Sequence, residues 1–260
     1  MFYLAPGNIL INYELKKLLS KYDEGVFIEV GAGHGFVSKI LLELGWSGHG
    51  FDLNSSALGV NSRENNKYIN NGAYHVSNKN FLDETFTERV DLVISHMVIE
   101  HLSDNELDKY FEKCRSVLNP SGKIVIVVPA GMKYWGVEDE VAGHKKRYEL
   151  PDIFNMERKY SVCCTYHAFL TYPLSNILLS LSNLLVKKNE TTKLIYSDEV
   201  KTIDSGHRHV PMKTIFPNWF KFIINEYILS PFIFLQALNL KNKNGLVLMA
   251  EFNLRDSDVL

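Results

Sequence analysis

Residues 26–35 read VFIEVGAGHG, and this stretch decides how the first half of the chain folds. Val26–Val30 is a short apolar run that predicts a buried strand, and Phe36–Leu44 carries apolar residues at helical spacing. Between them, the three glycines of residues 31–35 allow the backbone to turn tightly and to approach a ligand closely. The following helix offers free N–H groups and the positive end of its dipole. The stretch therefore predicts a strand, a ligand-binding loop and a helix.

Further strands and helices alternate along the chain. Asp104–Leu118 predicts a helix with Ser103 as its N-cap, and Asn119–Gly122 predicts a turn after it. Alternating strands and helices indicate a parallel sheet with helices on both faces. We expect an α/β, Rossmann-like sheet of seven strands with the last strand antiparallel. The other predicted strands are His49–Leu53, Tyr74–Val76, Val90–Ser95, Lys123–Val128, Tyr160–Phe169 and Gly245–Leu254.

The last two predicted strands are separated by a long segment, residues 170–244, that reads as mostly helical. Such a length is far too great for a hairpin connection. We therefore predict one domain over residues 1–169 plus 245–260, with residues 170–244 as a helical insertion between strands six and seven. A substrate lid, a dimer interface and a membrane-surface element remain open as roles for this insertion.

Bulk composition excludes several classes of protein. The 260 residues are 46% hydrophobic and 22% charged, which is ordinary for a globular protein, and the formal net charge is -2. A near-neutral balance argues against a nucleic-acid partner. Three cysteines without a C-x-x-C pair favour a reducing compartment. The sequence shows no signal peptide and no long uninterrupted apolar run, so we expect a cytoplasmic protein.

An acidic residue follows the second predicted strand, at Asp52, where it can accept hydrogen bonds from the ribose hydroxyls of a nucleoside. The dinucleotide fingerprint requires G-x-G-x-x-G, but Phe36 occupies the position of its third glycine. Glu29 immediately before the loop is unfavourable beside a pyrophosphate. It is favourable beside a sulfonium ligand that carries an ammonium group.

Residues 29–35 resemble motif I of the class I S-adenosylmethionine-dependent methyltransferases, an acid followed by x-G-x-G-x-G. The resemblance implies S-adenosyl-L-methionine as cofactor. It places the glycines and His96 beside the methionine part, Glu29 at the amino group directly or through water, and Asp52 at the ribose. Asn80 would contact the adenine, where the family commonly has Asp. The cofactor-binding residues that it implies are Glu29, Gly31, Ala32, Gly33, Gly35, Asp52, Leu53, Asn80, Phe81 and His96.

Residues 95–102, SHMVIEHL, follow the fourth predicted strand and resemble the V-L-E-H signature of many small-molecule and quinone methyltransferases. The resemblance implies that Glu100 and His101 lie at the mouth of the site. Histidine suits the removal of a proton from an acceptor hydroxyl, because its ordinary pKa lies near operating pH. A structural role for His101 remains equally open.

Residues 139–148, DEVAGHKKRY, resemble the D-E-x-x-G-H-x-R-R-Y signature of a bacterial methyltransferase subgroup that often accompanies surface-polysaccharide enzymes; Lys146 replaces the first Arg. We expect His144 to be the proton acceptor, with Asp139 orienting it or binding acceptor hydroxyls. Arg147 would bind a phosphate or carboxylate of the acceptor. Tyr148 would stack on a sugar face. Asp139 and His144 are too few ligands for a metal site, so none is predicted.

The sequence therefore predicts methyl transfer to a small acceptor, and the resemblance favours a hydroxyl of a sugar, nucleotide-sugar or lipid-linked glycan. One alternative is an NAD-dependent sugar oxidoreductase or epimerase, which Glu29, Phe36 and the lack of a suitable Y-x-x-x-K pair oppose. Another is a non-catalytic nucleoside-binding protein. Residues 170–244 leave open a homodimer or contact with the inner face of the membrane through Lys187 and Lys188. Residues 205–209, SGHRH, form a cationic segment that would suit an anionic acceptor.

Overall fold

A computed structural model describes residues 4–197, 200–202 and 216–255. Its strands form one seven-stranded sheet in the order β3-β2-β1-β4-β5-β7-β6. β7 pairs antiparallel with β5 and β6, and the other neighbouring strands are parallel. The predicted fold is confirmed. The strands are β1 Val26–Val30, β2 Ser47–Phe51, β3 Tyr74–Ser77, β4 Val90–His96, β5 Leu118–Pro129, β6 Val162–Leu170 and β7 Val247–Leu254.

Helices cover both faces of the sheet and close two apolar cores. One core packs Phe111 and Ile153 of α5 and α7 against the sheet, and the other packs Leu15 and Leu41 of α1 and α2 against it. The helices in the described ranges are α1 Pro6–Leu19, α2 Phe36–Glu43, α3 Ser55–Glu64, α4 Asn66–Asn70, α5 Asp104–Val117, α6 Val137–Ala142, α7 Leu150–Tyr160, α8 Leu174–Glu190 and α9 Ser230–Leu238.

The N-terminus of α5 is fixed by a capping box. Ser103 is the N-cap, as predicted, and its hydroxyl accepts from the backbone N–H of Glu106. The Glu106 carboxylate accepts from the Ser103 N–H at 2.7 Å. Two of the unpaired N–H groups at the helix start are thereby satisfied. The cap fixes the point at which the chain leaves the carboxyl end of β4 and enters α5.

The predicted position of β2 is wrong by two residues. The strand spans Ser47–Phe51, so Leu53 lies beyond it and is half exposed. This strand is weakly marked in the sequence because two of its residues are glycines, which close neighbours require. A Cβ on Gly48 would lie 2.1 Å from the Phe27 carbonyl oxygen, and one on Gly50 would lie 2.1 Å from Tyr74 Oη. Pairing with β1 and β3, rather than strand propensity, places β2.

The predicted turn at Asn119–Gly122 is instead part of β5. Val90 pairs with Leu118 and Leu92 pairs with Lys123, so the residues between them bulge out of the ladder. Within the bulge, the Asn119 side chain donates a hydrogen bond to Asp91 Oδ1 of the partner strand β4 at 2.6 Å. The turn signals of this stretch therefore mark a bulge rather than a strand boundary.

Strands β6 and β7 each begin two residues later than predicted. Helix α7 continues through Tyr160 and ends at Ser161, whose φ of 51° turns the chain into β6. Two helices of the predicted insertion, α8 and α9, lie between these strands and share a small apolar core with α1. In the described part, no helix is both long and apolar enough to cross a membrane. The cationic segment at 205–209 lies outside the described residues.

Candidate active site

The glycine-rich loop joins β1 to α2 at the carboxyl edge of the sheet. The amides of Gly31 and Ala32 donate to the Phe51 carbonyl at 2.8 and 2.9 Å, which ties the loop to the end of β2. Gly31 has a φ of 75°, and a Cβ there would lie 2.2 Å from Cγ2 of Val98. At Gly33 a Cβ would meet no atom closer than 4.0 Å, so this part of the loop borders open space.

Asp52 lies directly after β2 and faces the loop. Its Oδ2 accepts from the Gly33 N–H at 2.8 Å, and its Oδ1 accepts from the Asn54 N–H at 2.7 Å. Burial raises the pKa of this carboxyl, although the two N–H groups act in the opposite direction. The strand order reverses between β1 and β4, and ligands of open α/β sheets bind at such a point. The loop and Asp52 occupy the adjoining strand ends.

A buried polar network supports the loop from behind, and the sequence did not reveal it. The Ser38 hydroxyl of α2 donates to Glu29 Oε2 and lies 2.7 Å from Tyr74 Oη. Asn61 Nδ2 also donates to Tyr74 Oη, at 3.1 Å. Burial raises the pKa of Glu29 to about 8. The carboxyl is therefore mostly protonated at neutral pH in the free protein. The one local sign of this network in the sequence is the polar Ser38 within the otherwise apolar buried face of α2.

We expect Glu29→Gln to change how stability depends on pH. Between the ordinary glutamate value of 4.5 and about 8, unfolded wild-type chain loses this proton while the folded protein keeps it. The Glu29 contribution to the free energy of unfolding therefore falls as pH rises through this window. Relative to wild type, Glu29→Gln should gain roughly 2–4 kcal/mol between pH 5 and 8. Denaturant unfolding at several pH values measures the difference.

A matched control for this experiment is Glu43→Gln, which changes an exposed glutamate of α2. Its unfolding free energy should follow the wild-type pH curve. If the Glu29→Gln curve also runs parallel to wild type, Glu29 is ionised in the folded free protein, and the protonated network is wrong.

The segment after β4 contacts the glycine loop. Val98 packs against Gly31, and Met97, with a φ of 56°, anchors the turn by donating to the Val127 carbonyl at 2.8 Å. His96 ends β4, and its Nε2 is buried without a hydrogen-bond partner in the described ranges. Burial lowers the pKa of His96 to about 4, so the ring is neutral. The structure thus brings the segment containing His96 to the loop.

Three further residues predicted to bind the cofactor, Leu53, Asn80 and Phe81, take different positions. Asn80 caps a short 3₁₀ turn, its Oδ1 accepting from the Leu82 N–H at 3.1 Å. The Phe81 ring is buried in the core, with its centroid 6.0 Å from that of Phe51. Leu53 is 50% exposed. Of these three, Leu53 has the exposed apolar side chain, whereas the Phe81 ring belongs to the core.

A second polar centre forms around Asp139 of α6, which is fully buried. Its Oδ1 lies 2.8 Å from both His144 Nδ1 and Arg147 Nε, and its Oδ2 accepts from the Gly136 N–H at 2.9 Å. Burial raises the pKa of the Asp139 carboxyl, but the hydrogen bond from His144 and the Arg147 charge outweigh it. The net pKa lies below the ordinary value. Asp139 is therefore an ionised carboxylate that fixes the orientation of the His144 ring.

The turn after β4 completes this centre. The rings of His101 and His144 meet edge to face with centroids 4.9 Å apart, and Glu100 Oε1 lies 3.9 Å from His144 Nε2. Burial raises the pKa of the fully buried Glu100 to about 7. Burial and the neighbouring His144 lower the pKa of His101 to about 4. The fold therefore joins two distant sequence motifs in one group, here called the histidine cluster: Glu100, His101, Asp139 and His144.

Two residues predicted to contact the acceptor point into the protein instead. Arg147 is 6% exposed; besides pairing with Asp139, it donates through Nη1 to the Ala130 carbonyl at 3.3 Å. Tyr148 is 2% exposed, and its hydroxyl donates to the Ile99 carbonyl at 3.0 Å. Their hydrogen-bonding groups are thus engaged by the protein. In this structure Arg147 pairs with Asp139 of the histidine cluster, and Tyr148 bonds the residue that precedes Glu100.

Part of the predicted insertion reaches the histidine cluster. Helix α8 packs against α6, the helix that carries Asp139. Thr202 Oγ1 lies 3.4 Å from His101 Nδ1. The His144 side chain remains 13% exposed. The insertion therefore lies beside the cluster while leaving the His144 ring partly accessible.

Comparison with known proteins agrees with this architecture. Residues 28–124 match the family model of a methyltransferase domain, a span that runs from β1 into β5 and includes the glycine loop and Asp52. No curated protein matches the chain in sequence.

Several solved structures, two N-methyltransferases among them, share the fold. The glycopeptide N-methyltransferase MtfA aligns over 97% of this chain and 92% of its own, with a TM-score of 0.52 and 10% identity. The N-methyltransferase NodS from Bradyrhizobium japonicum WM9 aligns over 62% of this chain and 86% of its own, with a TM-score of 0.52 and 14% identity. The chain spans about half of the pyocyanin biosynthetic protein PhzM, 52% of that chain and 62% of this one, at a TM-score of 0.50 and 13% identity. The fold is therefore the Rossmann-like fold that these solved structures share.

Proposed function

We propose that this chain transfers a methyl group from S-adenosyl-L-methionine to a small-molecule acceptor. The observation that carries the proposal is the arrangement of the glycine loop and Asp52 at the reversal point of the sheet. It lies within the region that matches a methyltransferase domain. Fold alone does not determine function, so the chemistry of these residues must support the proposal.

The loop suits a nucleoside joined to a cationic amino-acid chain. The carboxylate of Asp52 would accept hydrogen bonds from ribose hydroxyls beside Gly33. Glu29 lies behind the loop with a pKa raised by burial. A nearby ammonium or sulfonium charge would favour its ionised form. A pyrophosphate in the same place would add negative charge instead, which argues against a dinucleotide.

We infer that His144 accepts the proton of the attacking group. The carboxylate of Asp139 can only accept, so the hydrogen at Nδ1 of His144 points toward it and the lone pair lies at Nε2. Asp139 thus orients the base, while the cofactor supplies an activated methyl group. Most of the rate enhancement would come from aligning acceptor and methyl group, with a smaller contribution from the base.

We infer that the acceptor is a hydroxyl of a sugar, with a lipid-linked glycan as the favoured form. The sequence signature at residues 139–148 supports the sugar assignment. On α8, Ile177, Leu181 and Leu184 are 54–67% exposed and recur at helical spacing, and two lysines follow them. An exposed apolar stripe with adjacent positive charge suits the surface of an anionic membrane. This placement would bring the site to a lipid-linked acceptor at the inner face of the membrane.

Calorimetric titration with S-adenosylhomocysteine, with NAD in parallel, tests the cofactor assignment. We expect binding of S-adenosylhomocysteine and none of NAD. Asp52→Ala should weaken S-adenosylhomocysteine binding by about 1–3 kcal/mol, because charge-assisted hydrogen bonds to the ribose are lost. Asp23→Ala, at an exposed site before β1, is the matched control and should bind like wild type.

The outcomes separate the competing functions. Binding of NAD alone would replace the proposal with an oxidoreductase. Binding of S-adenosylhomocysteine without transfer of labelled methyl to any sugar, nucleotide-sugar or lipid-linked acceptor would favour a non-catalytic nucleoside-binding protein. Equal affinity of Asp52→Ala and wild type would show that the nucleoside does not lie against β2.

A further inference from the structure

Glu100, His101 and His144 bring three potential metal-ligand atoms close together. One ligand atom from each residue lies within 4.8 Å of the other two. Glu100 and His101 follow β4, whereas His144 follows α6, so no spacing within either segment reveals the set. Two imidazoles and one carboxylate form a recognised ligand set for zinc and related divalent transition metals.

The carboxylate of Glu100 makes this arrangement unusual. The residue is fully buried, and neither of its side-chain oxygens has a hydrogen-bond partner among the described residues. The nitrogen Nε2 of His144 lies 3.9 Å from Glu100 Oε1, beyond hydrogen-bond distance. A buried carboxylate without hydrogen bonds is costly unless a cation or a proton satisfies it. Its position therefore points to a cationic ligand in the cluster.

Hydrogen bonds at Nδ1 leave Nε2 of both histidine rings available to a metal ion. Nδ1 of His101 lies 3.3 Å from the Gly143 carbonyl oxygen, and Nδ1 of His144 lies 2.8 Å from Asp139 Oδ1. Both partners accept hydrogen bonds, so each Nδ1 carries the hydrogen and each Nε2 keeps its lone pair. Metal-binding histidines are typically held in this way, with the second ring nitrogen donating to a carboxylate or a carbonyl.

We propose that Glu100, His101 and His144 bind a divalent transition metal ion of the zinc type. Three protein ligands leave the fourth tetrahedral position for water or for an oxygen of the acceptor. Ligand atoms of a tetrahedral zinc site lie about 3.3 Å apart, so binding requires the three side chains to move closer. Metal binding itself does not depend on the proposed methyl transfer. An ion at His144 Nε2 and a transferred proton would, however, compete for the same lone pair.

Titration of the chelator-treated full chain with Zn²⁺ tests the proposal by calorimetry. We expect one tight site in wild type. Glu100→Gln and His144→Ala should each weaken zinc affinity by more than the roughly 10–100-fold that loss of a supporting partner costs. His49→Ala is the matched control, because His49 and His75 form a separate pair with ring centroids 5.2 Å apart. Zinc affinity of this variant should equal that of wild type.

Folding and cofactor binding are followed separately. Thermal unfolding without zinc identifies any variant that does not fold, and Glu100→Gln alone decides the test if His144→Ala fails this check. Bound Co²⁺ should show a visible absorption spectrum that the Glu100→Gln variant lacks. Absence of a tight zinc site in wild type, or wild-type zinc affinity in folded Glu100→Gln, would overturn the metal site. S-adenosylhomocysteine binding reports on the proposed function independently of either result.

Discussion

His144→Ala should lower kcat for methyl transfer by about 10²–10⁴-fold, while the Kd for S-adenosylhomocysteine stays at its wild-type value. The expected separation follows from the structure. The cofactor-facing groups are the glycine loop and Asp52, whereas His144 is oriented by Asp139 of α6. Removing the imidazole removes the base without changing the loop. The measurement is transfer of labelled methyl to an acceptor identified by screening. EDTA is present in the assay so that no metal ion occupies Nε2 of His144.

Two further variants make this result specific. Asp139→Asn should also reduce kcat, because an amide can donate as well as accept and no longer fixes the histidine tautomer. His49→Ala changes a histidine on β2 outside the cluster and should keep wild-type turnover. Wild-type kcat in folded His144→Ala would exclude His144 as the base. Reduced cofactor affinity in the same variant would mean that the cluster also supports the cofactor pocket.

The sequence was sufficient to predict β1 and the start of α5. Val26–Val30 is a continuous apolar run that ends at the glycine loop, and the observed strand has these bounds. Ser103 lies three residues before Glu106, and this local pattern forms the predicted cap. Both features depend on neighbouring residues only, so local pattern determines them.

Features that depend on tertiary packing were not predicted correctly. The predicted range of β2 was two residues too late because Gly48 and Gly50 do not favour a strand. These glycines leave room for Phe27 and Tyr74. The turn residues at 119–122 form a bulge that only the partner strand defines. In both cases a neighbouring strand overrides the local preference.

The site shows the same division between local and long-range information. The resemblance of residues 139–148 to a known signature identified Asp139 and His144 as a pair, and the structure places them 2.8 Å apart. The resemblance could not show that Arg147 and Tyr148 form hydrogen bonds within the protein. Nor could it show that Glu100 arrives from another segment without a hydrogen-bond partner in the described part of the chain. These facts depend on where α6 packs relative to the end of β4.

Gly31→Ala should destabilise the protein and weaken S-adenosylhomocysteine binding at least about tenfold, equivalent to about 1.4 kcal/mol. Two effects are expected to lower the free energy of unfolding, backbone strain and a steric clash. Alanine at a φ of 75° is strained by roughly 1–2 kcal/mol. Its Cβ would also lie 2.2 Å from Cγ2 of Val98, and relieving such a contact costs about 1–3 kcal/mol more. We expect the loop to move when the contact is relieved, which would displace the N–H of Gly33 from Asp52.

Gly72→Ala separates the two costs of Gly31→Ala. Gly72 has a φ of 78°, but a Cβ there meets no atom within 4 Å, so its substitution introduces backbone strain without a clash. Denaturant unfolding should therefore show a smaller loss for Gly72→Ala, with wild-type affinity for S-adenosylhomocysteine. Adding Val98→Ala to Gly31→Ala removes the clashing methyl group and should restore part of both stability and binding. Equal stability losses at Gly31 and Gly72, with unchanged binding in both, would mean that the loop conformation does not control the cofactor site.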